Sequence, residues 1–248
     1  MLTFRRLLRL AVVITVASAC LCRAEEPAAS LPDSPGQSQT NLNQPQPAAT
    51  GAAIYGPPRQ APFANANILP NETPVPFSEG QKPLFALLQV ADPENLPSAL
   101  ASAAWSHLIN SSPHYGTNST AFAQRFGASV ANNASQTLLT AGLFSPIFHD
   151  DPRYFVMGRG HSIPRRAIYA ATRVLFTRSN DGRQVINLPL ICGYMGAAAM
   201  NNLYFPDKDR GVKNTFQNYP TSLVGAAVGF ETHEFINDAM RLFHRHKK

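Results

Sequence analysis

LPLICGYMGAAAM, residues 188–200, carries no charged side chain on any side. A helix that is apolar all round is buried in a protein core or in lipid, and the choice between the two sets the architecture. The run stops short of the ~20 apolar residues that a membrane span needs, and Pro189 interrupts it. A second such run, LVGAAVGF, follows at 223–230. Gly193 with Ala197, and Gly225 with Gly229, stand four apart, a spacing at which small residues let two helix backbones approach closely. The expectation is a close-packed central helix pair, with a membrane-embedded hairpin as the alternative.

Outward from this pair the pattern stays helical. PSALASAAWSHLIN from Pro97 opens with a proline suited to a first helical turn. Asn118-Ser119-Thr120 is an N-cap cluster, followed by Phe122, Phe126, Val130, Ala134 and Leu138 at steps of four. A third helix is expected over Ser162 to Phe176, a fourth over Leu188 to Leu203, and a last from near Pro220 to the C-terminus. In that last helix Glu234, Asn237, Asp238 and Arg241 fall at i, i+3, i+4 and i+7, the spacing of a solvated polar face. Only Arg183-Gln184-Val185-Ile186 hints at a strand. The fold class read here is all-α: a bundle of about five or six helices with a Gly/Ala-rich central pair, preceded by a disordered Pro-rich tether.

The N-terminus is of another kind. MLTFRRLLRLAVVITVASACLCRA has three early arginines, an apolar run from Leu10 to Leu21 and small residues at its end, which reads as a secretory signal peptide cut after Ala24. Ala17-Ser18-Ala19-Cys20 also fits, loosely, a lipoprotein cleavage site with a lipid-bearing Cys20. Residues 25–80, rich in Pro, Ala, Gln, Ser and Asn, lack the large aliphatics that would offset their ordering entropy, so they read as a disordered linker. The helical domain is then 81–248. The signal segment holds Arg5, Arg6, Arg9 and Arg23, so its removal lowers the formal net charge from +6 to +2. That balance excludes nucleic acid as a partner. Cys192 would remain as a buried, inert thiol. The basic tail RLFHRHKK suits the negative end of a helix dipole, and also anionic headgroups. The expected partner is a membrane surface or another envelope component, and the expected location the periplasm or the outer membrane.

Charge concentrates in HDDPRYFVMGRGHSIPRR, residues 149–166. His233-Glu234 begins an HExxH zinc motif, but Asn237 stands where the second histidine must be. His149-Asp150 is a two-residue fragment of a metal-dependent phosphohydrolase site, and Gly160-His161-Ser162 a similarly short fragment of an acid-phosphatase element. No GxSxG, phosphate-binding glycine loop or CxxC is present. No catalytic residue, metal or cofactor is therefore assigned. What remains is arginine. Arg165 and Arg166 would occupy the first turn of the third helix, where the dipole disfavours cations, so something negative should offset them. Asp150 or Asp151 could do so by pairing with Arg153, Arg165 or Arg166. Alternatively Arg153, Arg165, Arg166 and Arg173, with His161, hold an external phosphate or carboxylate.

Asp151-Pro152-Arg153-Tyr154-Phe155, with Gly158, Gly160 and the later Asn202-Leu203-Tyr204-Phe205-Pro206, resembles a family of exported bacterial helical proteins carrying a DPRYF-like signature and an NxYxP element. The resemblance covers about residues 125–215. It implies an export signal and an α-helical domain in the cell envelope, and it brings no activity, substrate or catalytic residue with it.

Overall fold

The computed structural model describes residues 55–245, so the signal segment, Cys20 and most of the linker lie outside the described residues. Its helices, in chain order, are α1 Lys82–Ala91, α2 Leu96–Leu108, α3 Ser119–Thr137, α4 Ser145–Phe148, α5 Ile163–Thr172, α6 Leu188–Met200 and α7 Val212–Arg245. Short strands lie between and before them: β1 Arg59–Gln60, β2 Asn67–Ile68, β3 Glu72–Thr73, β4 Asp150–Asp151, β5 Tyr154–Phe155, β6 Phe176–Ser179 and β7 Gln184–Ile186. The fold is mostly helical, as expected.

Helix starts follow local chemistry. The Asn118 side chain accepts a bond from Ala121 N at 2.7 Å and opens α3. Asn187 does the same for Leu190 N at the head of α6, with Pro189 in the first turn. Ser162 stands extended at the N-cap of α5 but makes no side-chain cap bond. The last helix starts earlier than expected. It begins at Val212 and runs through Pro220, which therefore sits inside the helix and not at its head. The stripe expected on α3 is only half-buried or exposed. Its deepest residues are Ala121, Arg125 and Ala128.

The close helix pair exists, with a different partner. Between α3 and α4 the chain makes a π-helical segment, Leu138–Phe144. A Cβ on Gly193 would collide with Thr140 Oγ1 and stand 2.8 Å from Thr140 N, so only glycine lets α6 lie against that segment. Gly225 and Gly229 of α7 face open space, with nothing within 4 Å of an added Cβ. α7 reaches α6 through Ala226 and Leu223, packed with Val174 and Leu190. Cys192 is buried in α6.

Residues 55–80 are ordered, against the linker expected to run to residue 80. β2 pairs in parallel with β5, Tyr154 N donating to Ala66 O at 2.8 Å and Val156 N to Ile68 O at 2.9 Å. Phe77 enters a core cluster with Phe85, Ala86 and Ala141. Backbone pairing and a few well-placed apolar groups hold a segment whose composition alone reads as disorder. The strand hint at 183–186 is met by β7, which joins β6 and β4 in a small antiparallel sheet.

The two glycine pairs give opposite predictions. Gly193→Ala should cost about 1–3 kcal/mol of stability by overpacking. Gly225→Ala should stabilise by roughly 0.5–1 kcal/mol, since it removes backbone freedom without a clash. Urea denaturation of both variants checks the contrast.

Candidate functional site

Asp151 starts the elbow by bonding forward, its Oδ1 accepting from Arg153 N at 3.0 Å. The Arg153 guanidinium turns back onto the same carboxylate, with Nε at 2.9 Å and Nη2 at 2.7 Å from its two oxygens. It also donates to Val75 O and lies over the Phe77 ring at 4.0 Å. This is the internal pairing expected for Asp151. Tyr154, next along, points its hydroxyl to Glu234 of α7 at 2.8 Å. Phe155 contributes its carbonyl to the Tyr169 hydroxyl.

Glu234, read from spacing as solvated, is 1% exposed. Its carboxylate accepts from Tyr154 Oη, Met157 N, Gly158 N and Arg166 Nε, all between 2.8 and 2.9 Å. Gly158 sits at φ +78°, and a Cβ there would meet the Tyr55 hydroxyl at 2.6 Å, so glycine is required where the chain turns onto Glu234. Arg166 completes the arrangement: Nη1 reaches Asp238 at 2.7 Å, Nη2 the Glu234 carbonyl at 2.8 Å, and the guanidinium rests over Phe235. Arg159 bonds the other Asp238 oxygen. The negative partner that the first turn of α5 demanded is therefore a carboxylate pair one turn apart on α7, not Asp150 or Asp151.

The candidate anion residues are thus divided. Arg166 is fully engaged in the clasp. Arg165 and His161 are exposed on the outside of the α5 start. Arg153 and Arg173 are brought together in the wall of a cavity with Arg178, Asp150 and Tyr169. Arg173 is buried and stacks on Tyr169 at 4.4 Å. Reading the sequence missed Glu234 and Asp238 as partners, although two acids four apart opposite two arginines is a signal that was there.

Asp150 has no such company. Its backbone pairs with Ser179, and its carboxyl is buried near Lys82, His149 and Glu79. Burial pushes it up to about 6, against the pull of Lys82 and His149. Lys82, fully buried, donates to Glu79 at 2.6 Å, and Glu79 in turn meets His149 Nδ1 at 3.0 Å. No group of three or more His, Cys, Asp or Glu among the described residues could hold a metal ion. No protein-family model, curated protein or solved structure matches the chain.

The two aspartates should respond to pH with opposite sign. For Asp238, burial alone would raise the pKa, but the bonds from Arg166 and Arg159 hold it below its ordinary value. Its stabilising contribution is present at neutral pH and is lost as pH falls below about 4. Asp150, raised in the fold, costs nothing below its ordinary value, and the cost grows as pH rises from about 4 to about 6. Asp150→Asn should therefore raise the melting temperature more at pH 8 than at pH 4. Asp238→Asn should lower it by the equivalent of about 1–3 kcal/mol at pH 7, and by less at pH 3. Melting curves across that range decide both.

Proposed function

We propose that this protein is an exported cell-envelope component with a non-enzymatic role, seated on a lipid surface through the outward sides of α1 and α2. One observation carries the reading. These consecutive helices bury Phe85, Ala86, Ala99 and Ala103 and turn Leu84, Leu87, Leu88, Leu100, Trp105 and Leu108 outward, with Trp105 66% and Leu108 79% exposed. Between Pro83 and Asn110 the only acidic residues, Asp92 and Glu94, stand at the turn between the helices, and there is no lysine or arginine. Water is a poor solvent for such a face.

Neither helix is long enough to cross a bilayer, and no helix among the described residues meets that requirement. A short helix with leucines and a tryptophan on its open side lies in the plane of the headgroup boundary. Residues 25–54, nearly free of large aliphatics, offer little to cover it. A protein partner would need polar groups for register, which this face lacks, whereas hydrocarbon needs none. The basic tail RLFHRHKK adds attraction to anionic headgroups. The signal segment and the likeness to exported DPRYF-bearing proteins support the same location.

Flotation with vesicles of phosphatidylglycerol and phosphatidylethanolamine tests the reading. The full mature chain should float with them, and Trp105, the one tryptophan, should shift its emission to the blue. A Leu87→Glu, Leu108→Glu double variant should stay in the aqueous fraction with stability changed by no more than ~0.5 kcal/mol per site. A native chain that ignores vesicles and keeps its Trp105 emission, or that doubles its mass without lipid, contradicts it.

A further inference from the structure

We infer that the cavity behind the elbow, walled by Arg153 and Arg173, is a binding site for a compact oxyanion of the phosphate class. The site is separate from the outward faces of α1 and α2 and does not depend on how they are used.

Arg173 is 9% exposed, and its Nε is buried without a hydrogen-bond partner among the described residues. No carboxylate pairs with its guanidinium there; its neighbour is the Tyr169 ring, which offsets only part of the cost of burying a charge. Arg153 is 4% exposed, and although Asp151 and Val75 O engage its Nε and Nη2, its Nη1 is buried and has no hydrogen-bond partner among the described residues. Both side chains line the same cavity, of about 60 Å³. The rim adds Arg178, an exposed guanidinium held over Phe155 at 4.4 Å. Arg166, a few residues away, shows the contrast, since all three of its nitrogens are bonded to α7.

Charge around the cavity is therefore unbalanced. Asp151 neutralises Arg153, which leaves Arg173 and Arg178 against Asp150 alone. A buried cation without an anion is unfavourable, and an oxyanion that accepts from both arginines removes the deficit. The volume corresponds to roughly four to six water-sized spaces, enough for a phosphate and too small for a nucleotide or a sugar. The donors arrive from two elements, the turn after β4 and the end of α5. That suits oxygens disposed around a tetrahedral centre better than a planar carboxylate. The phosphate can be free or the exposed head of a lipid, since both present the same oxygens.

Calorimetric titration and thermal melting of the full mature chain with inorganic phosphate, at ionic strength matched with chloride, test the site. Phosphate should bind saturably and raise the melting temperature, acetate more weakly, chloride not at all. Arg173→Met should abolish saturable binding while leaving the phosphate-free protein at least as stable as the native one. If that variant does not fold, Arg178→Gln at the exposed rim serves instead and should weaken binding at least tenfold. His161→Ala and Arg165→Ala, outside the cavity, should bind as the native chain does. Soluble short-chain phosphatidate forms a second arm: binding there but not to inorganic phosphate, lost in the same arginine variants, assigns the ligand as a headgroup. Phosphate acting no differently from chloride, with no arginine-dependent phosphatidate binding, overturns the proposal. So does binding that survives the cavity variants.

Discussion

Arg166 and Glu234 meet at 2.8 Å in the interior, with side chains 3% and 0% exposed. Two charges removed from water lose several kcal/mol of hydration each, and their attraction recovers this only when the remaining donors and acceptors are also satisfied. Here they are. Tyr154, Met157 and Gly158 complete the Glu234 carboxylate, and Asp238 and the Glu234 carbonyl complete the guanidinium. The pair therefore fixes three separate pieces of chain in one place: the elbow after β5, the start of α5 and the middle of α7.

That constraint sorts the chemistry of the elbow. With Arg166 and Arg159 committed to α7, and Arg153 held from one side by Asp151, the groups left with binding capacity face the cavity on the far side of Tyr154 and Tyr169. The DPRYF segment is in this light a junction. Asp151 and Arg153 fix the turn, Tyr154 reaches α7, and the backbone of Tyr154 and Phe155 pairs with the arm at Asn67–Ile68. The NxYxP element does similar work elsewhere, Asn202 bonding Ala199 O, Thr215 Oγ1 and Gly211 N across the approach to α7.

Much of this was legible in the sequence wherever the cause is local. Asn118 as a cap, Pro97 in a first turn, β7 at 184–186 and the Asp151–Arg153 pair all depend on residues within a few positions of each other. The helix dipole at Arg165 and Arg166 calls for an acid, but a distant one supplies it, since Glu234 lies 68 residues from Arg166. An i, i+3, i+4, i+7 polar stripe looks the same whether it faces water or an arginine from another helix. Small residues four apart likewise look the same in a tight contact, as at Gly193, and in open space, as at Gly225. The arm from residue 55 to 80 was hidden for a third reason. Its order comes from main-chain pairing with β5 and from Phe77 beneath Arg153, neither of which composition records.

The buried pair acts as one unit, and a double-mutant cycle measures that directly. Urea unfolding of Arg166→Met, Glu234→Leu and the combined variant should show each single change costing about 3–5 kcal/mol, with the combined loss well below their sum. Single losses under ~1 kcal/mol, or losses that simply add, would mean that the elbow and α7 are held together by something else.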